Sequence, residues 1–426
     1  TPDWSPAETT ALRSEINTLI RIGAVAACEP CDGQFISRIF LVPKADGSSR
    51  FILNLKPLNR FVVTHHFKME DRKTVMRLLS RHCYMATIDL KDAYFMIPVA
   101  RSCQKYLRFR FQNGLYQFLV MPFGLSVAPW SFTKLMKPVV AKLRREGNES
   151  VVYFDDFLLT GNSFGSCARN VTATVSLLNR LGFVINYAKS RLTPTKTCTF
   201  LGFVFNSISM TINLPPDKRS AVAQRVATLL QCQCCKIRIF GSLLGTLVSV
   251  CPATEYGWLY TKALERNKWR ALIASGNNYE AEMTISAESR MELQWWSQTL
   301  PNTSAPIHRP NFSVVIFTDA SRSGWGAVSG DDRVHGHWSE DEKRHHINYL
   351  ELLAIFLALK HFGQHLSDCA ILLRVDNTPA IAYINKMGDH LAKEIWQWAE
   401  QKHLWLFASY SFYQSCKKLS PTARKV

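Results

Sequence analysis

The stretch Val151-Val-Tyr-Phe-Asp-Asp-Phe-Leu-Leu-Thr-Gly161 sets two adjacent carboxylates inside an apolar and aromatic run. Residues 151–154 and 157–160 are rich in β-branched and aromatic side chains, and Gly161 is a stop signal. The run therefore predicts two short strands with Asp155 and Asp156 in a tight turn between them. Asp tolerates the backbone angles of such a turn, which accounts for one of the two. Two like charges beside apolar walls are raised in free energy by repulsion and desolvation together. A bound divalent cation removes that penalty, and a solvated turn is the alternative.

A third acid is available. Ala86-Thr-Ile-Asp-Leu-Lys-Asp-Ala-Tyr-Phe95 places Asp89 at the end of a short apolar strand, with Asp92 three residues later at the start of a helical turn. Two metals held by carboxylates on neighbouring strands activate a hydroxyl and stabilise a leaving pyrophosphate. That chemistry needs one acid from one strand and one or two from a facing hairpin. Asp89, Asp155 and Asp156 supply them.

At 426 residues the chain is too long for one ordinary core, so two to four domains are expected. Its 47% hydrophobic and 12% aromatic content describe a globular protein. A formal net charge of +18 favours a polyanion, nucleic acid above all, over an acidic small ligand. A merely soluble basic protein is the alternative. No apolar run approaches the roughly 20 residues of a membrane-spanning helix, so no membrane partner is expected. The chain shows no signal peptide and begins at Thr1, as a fragment or processed product would. Of twelve cysteines, only Cys28-Glu-Pro-Cys31 and Cys232-Gln-Cys-Cys235 lie close together, and neither has a matching His/Cys pair at zinc spacing. Reduced cysteines and an intracellular location, nucleus or cytoplasm, are expected.

Along the chain, residues 5–24 read as a helix opened by Ser5-Pro6, with Leu12, Ile16, Leu19 and Ile20 at helical spacing. Residues 39–54 read as a hairpin around Asp46-Gly47. Mixed strands and helices continue to about 205, and 216–300 is mostly helical. A polar linker follows, Pro301-Asn-Thr-Ser-Ala-Pro-Ile-His-Arg-Pro310, before a new alternation of strands and helices.

Asp89-Leu-Lys-Asp-Ala-Tyr-Phe95, Met121-Pro-Phe-Gly-Leu-Ser-Val-Ala-Pro129, Tyr153-Phe-Asp-Asp156, Leu181-Gly-Phe183 with Lys189, and Phe200-Leu-Gly-Phe203 resemble the reverse-transcriptase motifs, in their order. Cys251-Pro-Ala-Thr-Glu-Tyr-Gly-Trp-Leu-Tyr260, Leu264-Glu-Arg266 and Leu293-Gln-Trp-Trp296 resemble the DIRS-type (tyrosine-recombinase) retrotransposon branch. The resemblance implies an α+β right-hand polymerase of fingers, palm and thumb, followed by an α/β ribonuclease H-like domain. Its divisions would be 1–205 for fingers and palm, 206–305 for thumb and connection, and 311–426 for the last domain. It implies Mg2+ (or Mn2+) at Asp89, Asp155 and Asp156, with Asp155 the principal ligand of the pair. Lys189 resembles the lysine that protonates the departing pyrophosphate, with a solvated helix-end lysine as its alternative. The nucleotide-binding set implied is Lys44, Arg50, Asp92, Tyr94, Phe123 and Gly124. Lys44 and Arg50 flank the Asp46-Gly47 turn and resemble residues that grip the triphosphate, a task suited to an ammonium and a guanidinium on any hairpin. Tyr94 resembles the aromatic under the deoxyribose, although an aromatic there, taken alone, is more often core. Phe123 stands where retroviral enzymes often have Gln, which argues against a retrovirus. Lys218, Arg219, Arg225, Lys236 and Arg238 suit a thumb gripping duplex phosphates, whereas Trp258, Trp269, Trp295 and Trp296 read as core.

A second set of acids lies beyond 311. Val314-Val-Ile-Phe-Thr-Asp319 reads as a strand with a turn at Ser323-Gly324, and Ile371-Leu-Leu-Arg-Val-Asp376 as another strand ending on an acid. Glu351 sits near the start of the apolar helix 346–360. Asp319, Glu351 and Asp376 form another two-metal arrangement, and their order and spacing resemble ribonuclease H. Actin-like ATPases share strand-end acids but lack a polymerase upstream. The family's fourth acid has no counterpart: Ala423-Arg424 stands at its place and no carboxylate follows Glu400, so ribonuclease H activity is expected to be weak or absent. The reading is an RNA-directed DNA polymerase of a retrotransposon acting on an RNA template, a DNA primer, RNA–DNA hybrid and deoxynucleoside triphosphates. The alternatives are a domesticated or decaying element that binds RNA–DNA duplex without turnover, and a hepadnavirus-like polymerase.

Overall fold

The computed structural model describes residues 4–43, 49–307, 311–388 and 390–410, with backbone alone for 43, 49 and 50. The chain forms two compact units, Thr1–Met210 and Thr211–Val426. The eleven cysteines among the described residues are all free. No helix among them is long and apolar enough to cross a membrane.

In the first unit, helix Pro6–Arg21 starts at Ser5, whose hydroxyl accepts from Glu8 N while the Glu8 carboxylate accepts from Ser5 N. This reciprocal cap satisfies two helix-end donors. Leu12, Ile16 and Leu19 face the core, but Ile20, expected with them, is 40% exposed. One further residue turns the helix by 100°, which carries Ile20 off the buried stripe. The expected hairpin is present as strands Ile39–Pro43 and Ser49–Leu53, with Ile39 opposite Leu53. A central sheet has the order Val184–Ile185, Tyr84–Lys91, Asp156–Gly161, Ser150–Tyr153, and Arg191–Thr195 also pairs with Tyr84–Lys91. Ala86, Ile88, Leu90, Phe157 and Leu159 pack against Phe132 and Met136 of helix Ala128–Arg145 and against Cys167 and Leu178 of helix Phe164–Arg180. Side chains alternate across a strand, so burying Ile88 and Leu90 beneath the sheet turns Asp89 to the opposite face.

The second unit opens with helices Pro216–Leu230, Ile237–Val250, Lys262–Ala274 and Ala287–Thr299. The described part of the stretch read as a linker carries regular structure: Leu300–Asn302 is a 3-10 turn and Ser304–Pro306 pairs with Thr211–Asn213. A five-stranded sheet follows in the order Asp332–His337, Gly324–Ser329, Val314–Ala320, Ala370–Val375, Trp405–Tyr410, its last three strands parallel. Helix Ile347–Phe362 lies on it, with Thr378–Lys386 and His390–Gln401. Trp296 is fully buried, and Trp258 and Trp295 pack against the core. Trp269 departs from the expectation: it is 62% exposed, because helix Lys262–Ala274 buries Ala263 and Leu264 instead.

Residues upstream of 300 complete the core of this sheet. Tyr256 and Leu259 join Ile316, Ile355, Leu373 and Trp396 in one cluster, and Tyr256 Oη donates to Leu404 O. The buried Glu292 carboxylate accepts from the amides of Ala263 and Leu264 and pairs with Lys393 at 2.9 Å. Losing one buried aromatic costs about 3–5 kcal/mol. A fragment 311–426 is therefore expected to melt on the order of 10 °C or more below a fragment 211–426. Equal melting temperatures by circular dichroism would show that the upstream helices contribute no core.

Candidate active site

Asp89 lies directly opposite Asp156 across an antiparallel pair, so both side chains stand on the same face of the sheet. The hairpin closes with Tyr153 opposite Asp156, leaving Phe154 and Asp155 as its two turn residues. The turn is thus one residue earlier than the sequence suggested, and Asp156 is a ladder residue. Asp156 gains cross-strand pairing by this shift, and Phe154 takes the left-handed backbone (φ 53°) that an Asp was expected to take. A non-glycine residue there is held against its steric preference. Phe154 packs on Tyr153 at 4.7 Å, and Asp155 O accepts from Leu90 N at 3.0 Å, tying the turn back to the Asp89 strand.

Burial pushes the Asp156 carboxyl up to about 6, with Asp155 and Asp89 adding to the rise and Lys189 opposing it. Asp155 is also raised, first by burial and then by Asp89, against its own backbone hydrogen bond and Lys189. Two acids held above the ordinary carboxylate range, with Asp89 across the ladder, are a donor set suited to a divalent cation. Lys189 is exposed in a turn between strands Val184–Ile185 and Arg191–Thr195, not at a helix end. It lines a cleft of about 120 Å³ with Asp89, Asp156 and Thr199. Two residues the sequence reading passed over fix this turn. Ser190 Oγ accepts from Asp89 N at 3.0 Å and donates to Asn186 O, while Asn186 N donates to Asp89 O at 2.8 Å.

Asp92 adopts φ 50° and opens the 3-10 turn Ala93–Met96, as expected of its position. Tyr94 in that turn is half-buried, with its ring 5.0 Å from Phe123 and 5.6 Å from Phe132. Burial, then the charge of Asp155, pushes its hydroxyl up to about 12. Phe123 is 47% exposed and also meets Phe95 at 5.5 Å. Gly124 has φ 92°, a conformation a side chain would strain. Asn59, a residue no motif pointed to, clamps this loop: Nδ2 donates to Gly124 O and Oδ1 accepts from Ser126 N, both at 2.9 Å. Lys44 and the Asp46-Gly47 turn lie outside the described residues, and of Arg50 only the backbone is described, opposite Val42.

In the second unit, Asp319 lies in strand Val314–Ala320, Asp376 just past the end of the parallel neighbour Ala370–Val375, and Glu351 in the first turns of helix Ile347–Phe362. The return strand begins at Gly324, so the turn covers residues 321–323. The three acids each offer an oxygen within 4.8 Å of the others. The acids of the first unit are spread more widely, because Asp155 sits at a turn while Asp89 and Asp156 share a ladder. Glu351 is buried, its Oε2 has no hydrogen-bond partner, and burial followed by Asp376 and Asp319 pushes it up to about 8. An orphaned, buried carboxylate oxygen facing two further acids fits a cation. Asn377 Nδ2 donates to Asn348 Oδ1 at 3.1 Å, linking the Asp376 and Glu351 elements, and neither Asn stood out in the sequence. Ala423 and Arg424 lie outside the described residues. Among the expected phosphate-gripping cations, Lys236 and Arg238 pair with Glu280, and Arg225 donates to Thr246 and Ser242.

Residues 42–205 match the family described as reverse transcriptase (RNA-dependent DNA polymerase), and residues 309–402 match the RNase H-like domain found in reverse transcriptase. The Transposon Tf2-3 and Tf2-4 polyproteins of Schizosaccharomyces pombe are each 24% identical over 384 residues, covering 85% of this chain and 26% of each polyprotein. The chain spans about a quarter of the length of these curated relatives. Its fold is similar to the foamy viral protease-reverse transcriptase in complex with RNA/DNA hybrid (TM-score 0.62, 15% identity, 100% of this chain and 55% of that one). It is equally similar to the dRH form in complex with double-stranded DNA (TM-score 0.62, 16% identity, 96% and 71%). With the paired acids on one face of a palm-like sheet and a second trio on a ribonuclease H-like sheet, the chain carries a reverse transcriptase domain over residues 42–205 and a reverse-transcriptase RNase H-like domain over residues 309–402.

Proposed function

We propose that this chain is the RNA-directed DNA polymerase portion of a retrotransposon product, acting within the cell on an RNA template and a DNA primer. The cross-strand pair Asp89–Asp156, with Asp155 at the adjoining strained turn, carries the reading. Mg2+ (or Mn2+) held by these acids would stabilise charge on the attacking 3′-hydroxyl and on the leaving pyrophosphate. Lys189, exposed and lining the same cleft as Asp89 and Asp156, would give a proton to that pyrophosphate. Lys44 and Arg50 would grip the triphosphate, with Asp92, Phe123 and Gly124 shaping the nucleotide site around Tyr94. Charge supports a polyanionic substrate: residues 1–210 carry 27 Lys and Arg against 14 Asp and Glu, so most of the surplus sits in the unit with the paired acids. The solved relatives' complexes with double-stranded DNA and RNA/DNA hybrid support nucleic-acid partners. The division into fingers and palm, thumb and connection, and ribonuclease H-like domain follows the same reading. The DIRS-type placement rests on the 251–260, 264–266 and 293–296 segments alone, since the matched relatives are Tf2 polyproteins.

Primer extension on an RNA template tests the proposal, with incorporation expected only when a divalent cation is supplied. Binding without extension under every cation would return the chain to a duplex-binding element. Tyr94→Ala is expected to raise the ratio of ribonucleotide to deoxyribonucleotide incorporation by on the order of tenfold or more, a loss of about 1.4 kcal/mol of discrimination. An unchanged ratio would assign Tyr94 to packing against Phe123 and Phe132 alone.

A further inference from the structure

We propose that Glu70 and Arg144 brace the acid-bearing hairpin and are positioning residues for polymerisation, an inference that rests on the polymerase reading. Strand Ser150–Tyr153 is the outer strand of its sheet. In an antiparallel ladder alternate residues turn their backbone groups away from the partner, and at a sheet edge those groups are left unpaired. Here they are met by side chains. Arg144 Nη2 donates to Ser150 O at 2.7 Å, and Glu70 Oε2 accepts from Val152 N at 2.8 Å. The two side chains close the circuit through Arg144 Nη2 and Glu70 Oε1 at 2.5 Å.

An isolated surface ion pair contributes little. This one differs because each partner also makes a charge-assisted bond to the backbone of the same strand, within five residues of Asp155. Both partners are themselves anchored. Glu70 precedes Asp71, whose carboxylate caps helix Arg72–Leu78 through the amides of Lys73 and Thr74. Arg144 lies in the last turn of helix Ala128–Arg145, whose Phe132 and Met136 pack beneath the sheet. The brace therefore transmits the position of two packed helices to the strand that ends in the Phe154-Asp155 turn. Without it, the backbone groups on the outer edge of the strand lose their partners, leaving its ladder to Asp156–Gly161 and the packing of Val151 and Val152 to hold it. A displacement of about 1 Å at a reacting group can cost on the order of 10²-fold in rate.

The test compares Glu70→Ala, Glu70→Gln and Arg144→Ala in the full chain. Lys142→Ala, which breaks an exposed ion pair to Glu146 on the same helix, serves as control. Glu70→Ala and Arg144→Ala are expected to lower kcat for extension on the order of tenfold, with KM for the nucleotide within about twofold. The half-saturating Mg2+ concentration should rise. Glu70→Gln keeps an acceptor for the Val152 amide and should recover most of kcat. Hydrogen exchange should show lost protection at residues 150–153 in Glu70→Ala, with the strand Tyr84–Lys91 unchanged. The proposal is overturned if Glu70→Ala keeps wild-type kcat. It is also overturned if Glu70→Gln falls as far as Glu70→Ala alongside an equal drop in melting temperature, which marks a contribution to folding alone. If the unmodified chain does not extend a primer, the polymerase reading has failed, and the exchange measurement still decides the brace.

Discussion

Asp89→Asn and Asp155→Asn are each expected to cut nucleotide incorporation on the order of 10³-fold or more, while primer–template affinity and melting temperature stay near wild type. The carboxamide has the size of the carboxylate, so the cross-strand contact between residues 89 and 156 survives the first change. The native site is crowded with charge: Asp155 and Asp156 are both held above the ordinary carboxylate range by burial and by their acidic neighbours. Removing one charge relieves repulsion, and folding is not penalised by the loss. On the proposed polymerase reading, what would disappear is the negative charge that would hold a cation opposite the developing oxyanion, a contribution of several kcal/mol to the transition state. Single-turnover extension measures it, with fluorescence anisotropy on the same primer–template as the binding control. Extension within tenfold of wild type by either variant would remove these acids from the chemistry.

Asp89, Asp155 and Asp156 were legible because acids inside apolar strands are rare and each violates the local pattern. The same reasoning found Asp319, Glu351 and Asp376, which the fold gathers within 4.8 Å. Register was less legible. Moving the turn to Phe154-Asp155 depends on the ladder with strand Tyr84–Lys91, a long-range contact that no local propensity reports. Asn59, Glu70, Arg144 and Ser190 escaped for a related reason. Asn59, Glu70 and Ser190 act on the backbone of segments distant in sequence, Arg144 acts on Ser150 just past the end of its own helix, and a polar residue bonding to backbone leaves no spacing or hydrophobic rhythm to read. Trp269 shows the reverse error. Composition favoured a buried tryptophan, but the helix it sits on turns another face to the core.

The metal-free chain is expected to lose stability as pH rises from about 5 to 8, and Mg2+ is expected to reverse that loss through Glu351. Glu351 is pushed from an ordinary 4.5 up to about 8 in the folded chain, by burial first and then by Asp376 and Asp319. A carboxyl with a raised folded pKa binds its proton more tightly folded than unfolded. Its contribution is therefore complete below about pH 4.5 and is lost as pH rises through about 8. Asp319, raised by burial and by Asp376, acts in the same direction from a lower starting value. A divalent cation competes with the proton for the same oxygens, so its stabilisation should be largest at pH 8 and fade towards pH 5. Thermal unfolding across this range should show a fall of several degrees in the metal-free chain and its recovery with Mg2+. Asp155 and Asp156 contribute a similar trend in the other unit, so the decisive comparison is the difference between wild type and Glu351→Gln. That variant keeps a neutral side chain at every pH and should flatten the pH dependence assigned to this trio. It should also remove the Mg2+ shift that belongs to it while leaving primer extension intact. If both the pH slope and the Mg2+ shift survive in Glu351→Gln, the buried carboxylate is neutralised by another route and the trio holds no cation.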